Sequence, residues 1–131
     1  MKTVLFVCVH NSGRSQMAEA FFDQLAQGKA RALSAGTDPA DSVDPAVVKV
    51  MQEVGIDLSA KKPKALTSEM VNQADKVVTM GCGVEEMCPA TWVETEDWEL
   101  EDPKGRPLEQ VRRIREEIKT RVLKMLRSLE V

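Results

Sequence analysis

The sequence predicts an α/β fold: a three-layer α/β/α sandwich around a four-stranded parallel sheet of order 2-1-3-4. Three observations carry this. Short apolar runs alternate with amphipathic stretches along the chain, the pattern that yields right-handed crossovers and parallel strands. The first run, Val4 to Val7, is continuously apolar, as in a strand buried on both faces. No repeat, low-complexity segment or linker divides the 131 residues, a length within the range of about 50 to 250 for one domain. Residues 1–131 are therefore expected to form a single domain.

The elements follow in order. After the first strand, a helix is expected from Arg14, with Met17, Ala18, Phe21, Phe22 and Leu25 on one face and Gly28 ending it. Residues 31–36, RALSAG, read as the second strand. Asp44-Pro45 is a cap followed by a first-turn proline. It opens a helix with Val47, Val50, Met51 and Val54 inward, and Gly55 closes that helix. Residues 56–66 read as an irregular connection with a solvated lysine surface at Lys61, Lys62 and Lys64. Thr67 caps a short helix to about Gln73. Residues 76–80, KVVTM, are expected as the third strand and 91–95, TWVET, as the fourth. The last helix is expected from Pro107 to Leu129, with Leu108, Val111, Ile114, Ile118, Val122, Met125 and Leu129 as its core stripe.

Composition narrows the function. The hydrophobic fraction of 43% can build a core, and the net charge of -3 supplies no basic field for nucleic acid. No apolar run approaches the roughly 18 residues that span a bilayer, and the N-terminus lacks signal-peptide features. A cytoplasmic location is the expectation. The odd number of cysteines, Cys8, Cys82 and Cys88, argues against a static disulfide framework and for thiol chemistry. A structural zinc site would need His10 as fourth ligand, at a spacing from Cys8 unlike the usual pattern.

The chemistry concentrates in residues 6–20, FVCVHNSGRSQMAEA. Cys8 ends the first strand and Arg14 starts a helix, with Val9, His10, Asn11, Ser12 and Gly13 between them. Such a turn aims several backbone N–H groups at one point, an anion nest. Arg14 adds a bidentate contact to a tetrahedral oxyanion. The same positive surroundings favour the thiolate of Cys8, and Ser12 and Ser15 are hydrogen-bond donors to the loop or the sulfur. No GxxxxGK[ST] is present, so this is not a nucleotide P-loop. In a sheet of order 2-1-3-4 the switch point lies between the first and third strands, where ligands bind. Those strands run about 4.8 Å apart, which brings Cys82, two residues beyond the third, to the same edge as Cys8.

The stretch VLFVCVHNSGRSQMAEA, with LSAGT at 33–37, VVTMGC at 77–82 and WELEDP at 98–103, resembles the arsenate reductases built on the low-molecular-weight tyrosine phosphatase fold. The resemblance covers nearly the whole chain. It implies a Cys-x5-Arg loop for arsenate, here Cys8 and Arg14, with Asn11 and Ser15 at positions that shape the site. It also implies a catalytic aspartate in an Asp-Pro pair, here Asp102-Pro103, and further redox cysteines, here Cys82 and Cys88. Phosphate and sulfate would compete with arsenate.

Reduction and phosphate-ester hydrolysis share a first step: thiolate attack on the central atom while an acid protonates the leaving oxygen. Asp102 sits among Glu94, Glu96, Asp97, Glu99 and Glu101, whose like charge favours its protonated form. The related phosphatases carry aromatic residues after their Asp-Pro; Lys104 follows here, and the chain has no tyrosine. A reductase needs a second thiol to attack Cys8. Cys82 is placed for this, and Cys88 could carry the oxidation outward, with Gly81 and Gly83 supplying mobility. A phosphatase or a thiol redox sensor without turnover are the alternatives.

No bound cofactor is expected. The external reductant expected is thioredoxin, although MGCGVEEMCPA and DWELEDP are also similar to relatives that use mycothiol or another thiol with a glutaredoxin-like protein. Some relatives bind potassium near the loop through an aspartate. The corresponding LSAKKPKALT has no acid, and a lysine could take the cation's place, so no metal is expected. A monomer is the expectation.

Overall fold

The computed structural model describes residues 2–80, 94–98, 100, 101 and 103–128. Four strands, β1 (Lys2–Cys8), β2 (Ala30–Gly36), β3 (Lys76–Thr79) and β4 (Glu94–Asp97), alternate with α1 (Arg14–Ala26), α2 (Pro45–Gln52), α3 (Ser68–Gln73) and α4 (Leu108–Ser128). The sheet has the order β2-β1-β3-β4 and every pairing in it is parallel. This is the expected α/β architecture.

Side chains of β1 alternate between two apolar layers, as the period of two in a strand requires. Val4, Phe6 and Cys8 face α1, α2 and α4, joined there by Met17, Phe22, Val47 and Ile118. Leu5 and Val7 face the opposite layer with Val71 of α3, Ala74 and Val77. Phe6 anchors the thicker layer, its ring 5.9 Å from that of Phe22 and 5.7 Å from that of Trp98. Burying a side chain of this size stabilises by roughly 1.5–3 kcal/mol.

Local signals act where the sequence places them. The Asp44 carboxylate accepts from the Ala46 N–H at 2.9 Å and starts α2. Thr67 accepts from the Met70 N–H at 3.2 Å and starts α3. The chain leaves α1 through Gln27 and Gly28, both left-handed, at φ 52° and 81°. Two expectations need correction. Strand β4, Glu94–Asp97, continues two residues past the expected end at 95, because its pairing with β3 extends to Thr79↔Asp97; the expected residues 91–93 lie outside the described set. The 56–66 connection exposes Lys61, Lys62 and Lys64, as expected, but is more than a solvated loop. Its backbone is bonded to the end of β2, with Gly36 N–H donating to Lys64 O and Leu66 N–H to Gly36 O.

The chain starts in the middle of the sheet, goes out to one edge and returns to build the other. The carboxyl ends of β1 and β3 therefore flank a crevice, the place where open α/β sheets hold ligands. Cys8 is the last residue of β1.

Candidate active site

Loop 9–13 is held from outside by its carbonyl groups. Cys8, Val9 and His10 accept from the N–H groups of Thr37, Asp38 and Ala40, and Ser12 accepts from that of Asp44. Gly13 accepts from Met17 in the first turn of α1. The described peptide bonds are all trans, so each N–H points opposite to the carbonyl before it. The amides of Val9, His10, Asn11, Gly13 and Arg14 are thereby turned to the inside of the loop. The Asn11 N–H lies 3.2 Å from Cys8 Sγ.

Asn11 is the keystone. It is fully buried and sits in the left-handed region at φ 51°, which asparagine tolerates better than most residues. Its carboxamide oxygen accepts from Gln16 Nε2 at 3.1 Å and from the Lys64 N–H at 2.9 Å. Its Nδ2 donates to Ser15 Oγ at 2.7 Å. Ser15 is left with its own hydroxyl hydrogen for Cys8 Sγ, 2.8 Å away. The sulfur thus faces two hydrogen-bond partners in a buried site.

Arg14 is 8% exposed and donates from one guanidinium nitrogen to Leu100 O at 3.2 Å. The segment after β4 is thus tied to the loop, and Pro103 packs from the same side: a Cβ built on Gly13 would stand 3.0 Å from Pro103 Cγ. Around the sulfur these residues form a small pit. His10, Ser12, Gly13, Arg14, Asp44, Pro103 and Lys104 line it with Cys8. The half-buried His10 places Nδ1 3.0 Å from Asp38 O.

A low molecular weight phosphotyrosine protein phosphatase model matches residues 3–131. The chain belongs to that family.

A glutaredoxin arsenate reductase from Synechocystis is 40% identical over 133 residues, covering 98% of this chain and 99% of its own. Among solved structures, a thioredoxin-dependent arsenate reductase from Corynebacterium glutamicum superposes with a TM-score of 0.82 at 36% identity. This chain is covered to 99% and spans only 62% of that one. An arsenate reductase in a phosphate-binding state gives 0.89 at 38% identity, with 98% of each chain covered. An arginine phosphatase from Geobacillus stearothermophilus gives 0.89 at 26% identity, covering 99% and 94%.

Of the site residues expected from sequence, Cys8 to Ser15 are gathered at one point. Cys82, Cys88 and Asp102 lie outside the described residues. Three supports of this family's loop went unread in the sequence. Gln16 was legible only as a helix residue, yet it braces Asn11. Gly36 looked like the end of a strand, but a Cβ there would stand 2.6 Å from Val9 O and 3.0 Å from Asn11 N. Lys64 contributes through its backbone, and its ammonium lies 3.6 Å from the buried Glu19, which accepts from Ser34 Oγ at 2.9 Å. Among the described residues no group of three or more His, Cys, Asp or Glu is arranged to hold a metal, and no helix is long and apolar enough to cross a membrane.

Proposed function

We propose that the protein reduces arsenate to arsenite. The observation that carries this reading is the Cys8 sulfur, held by Ser15 and the Asn11 amide in a pit that Arg14 also lines. Sequence relatives and structural neighbours that are named arsenate reductases support the choice of substrate. Arsenate sits in the loop, its oxygens on the amides of residues 9–15 and on the Arg14 guanidinium. The Cys8 thiolate forms a sulfur–arsenic bond while Asp102 gives its proton to the departing oxygen, which leaves as water.

The Cys82 thiolate then attacks the Cys8 sulfur. The sulfur–arsenic bond breaks with its electron pair going to arsenic, which falls from the pentavalent to the trivalent state and leaves as arsenite. A Cys8–Cys82 disulfide remains. Cys88 attacks Cys82, frees Cys8 and leaves a Cys82–Cys88 disulfide for an external dithiol to reduce. Thioredoxin is our first choice of donor, in a cytoplasmic, monomeric enzyme. A glutaredoxin-linked thiol is the second, since the relatives' names include both kinds of coupling.

A phosphatase acting through a cysteinyl-phosphate shares the first step, and the superposition on an arginine phosphatase favours it as the second reading. Arsenate-dependent NADPH oxidation with thioredoxin and thioredoxin reductase, run beside an aryl-phosphate assay, separates the two. Reduction with little ester hydrolysis is expected. Brisk phosphate release with no arsenate turnover on any thiol donor would reverse the order. Cys82→Ser is expected to lose multiple-turnover reduction and to keep whatever ester hydrolysis the wild type has.

A further inference from the structure

We propose that Gln110 is a positioning residue for the oxyanion site: by holding the Glu101 carboxylate it fixes the Leu100 carbonyl that sets the plane of the Arg14 guanidinium. This deepens the proposed function and rests on its oxyanion loop. Arg14 and Gln110 stand in the first turns of two helices, α1 and α4. Val111, beside Gln110, is fully buried in the layer that holds Met17 and Phe21 of α1. The two helix starts are therefore joined through one packed layer.

The chain after β4 bridges them. Trp98 and Leu100 are buried in the same layer, and Leu100 O accepts from an Arg14 guanidinium nitrogen at 3.2 Å. Glu101, the next residue, reaches the other way. Both its carboxylate oxygens accept from Gln110 Nε2, and Arg106 Nη2 lies 3.5 Å from its Oε1. The Leu100 carbonyl belongs to the planar unit that ends at the Glu101 Cα, so the hold of Gln110 on Glu101 limits how that unit can rotate. A guanidinium is a rigid planar fork, and paired bonds to an oxyanion require its plane to be set. A bond from one of its nitrogens to a fixed carbonyl sets it before the ligand arrives. Neighbouring side chains of α4 pair along the helix, Glu109 with Arg113 and Glu117 with Arg121. Gln110 instead spends its amide on a residue nine positions away in the chain. Glu101 is 43% exposed, so the contact carries a few-fold effect and not orders of magnitude.

The test uses the reduced full-length protein at constant ionic strength, with inorganic phosphate as the binding probe in calorimetry. Gln110→Leu is expected to weaken binding about threefold, the scale of one partly exposed charge-assisted contact, with a Tm close to wild type. Gln110→Ala, the better helix former, is expected to do the same and replaces the leucine variant if that one folds poorly. Glu101→Gln keeps an acceptor oxygen for Gln110 and is expected to lose clearly less than Gln110→Leu. Arg14→Lys binds more weakly but has no fork to orient, so Gln110→Leu added to it is expected to cost nothing further. This non-additivity separates positioning from a general loosening of the fold. Unchanged phosphate binding in Gln110→Leu overturns the inference, as does an equal loss with and without Arg14→Lys, or a wild type that binds no phosphate. A wild type and variants that show the expected pattern, but reduce no arsenate with any thiol donor, would instead refute the reductase reading and leave this inference standing.

Discussion

At the residue scale, the site depends on atoms that never meet a substrate. Asn11 spends its carboxamide oxygen on Gln16 and Lys64 and its nitrogen on Ser15. Asn11→Ala leaves those groups unsatisfied in a buried place, at about 1–3 kcal/mol for each one stranded. A drop in Tm with loss of phosphate binding is expected. Asn11→Gly, which relieves the left-handed backbone, should be no better, because the hydrogen bonds and not the φ angle carry the effect; recovery in the glycine variant would contradict this. Gly36→Ala tests the loop from behind. The added carbon would stand 2.6 Å from Val9 O, so the loop must move, at a cost of about 1–3 kcal/mol or more. Phosphate calorimetry beside thermal unfolding is expected to show binding lost and Tm lowered. Cys8→Ser should be inactive in arsenate and aryl-phosphate assays alike while keeping the fold.

At the element scale, the helices and strands were legible because each carries a local signal. The Val4–Val7 run, the Asp44-Pro45 and Thr67 caps, and the stripe from Val111 to Met125 are periodicity and capping, which are short-range physics. The support given by Gly36 and Lys64 was not legible, because it acts between segments distant in sequence and partly through backbone groups that any residue supplies. The bridge between α2 and α4 is of the same kind. Glu53 receives Arg112 and Arg115 across the helix pair, and their hydrogen bonds hold its carboxyl at about 2, below the ordinary 4.5. A carboxylate lowered in this way contributes stability above the unfolded value and loses it as pH falls through the folded one. The Tm gap between wild type and Glu53→Gln is therefore expected at pH 7, shrinking below pH 4.5 toward pH 2. A gap independent of pH would mean that packing, not charge, joins the helices. Added salt should narrow it too, since the pair is near the surface.

For the molecule as a whole, topology turns a local motif into a site. A cysteine six residues before an arginine is a weak signal alone. It becomes a candidate site because β1 lies mid-sheet, residues 37–44 bond the loop carbonyls, and Leu100 after β4 accepts from Arg14. The central claim is that a sulfur in this site attacks arsenic and that a second thiol of the same chain completes the reduction. Its most direct test is a single turnover: reduced protein mixed anaerobically with arsenate and no external donor, followed by counting arsenite and free thiols. One arsenite per chain is expected, with two of the three thiols lost, and neither change in Cys8→Ser. A wild type that keeps all its thiols, or arsenite formed by Cys8→Ser, would contradict the account.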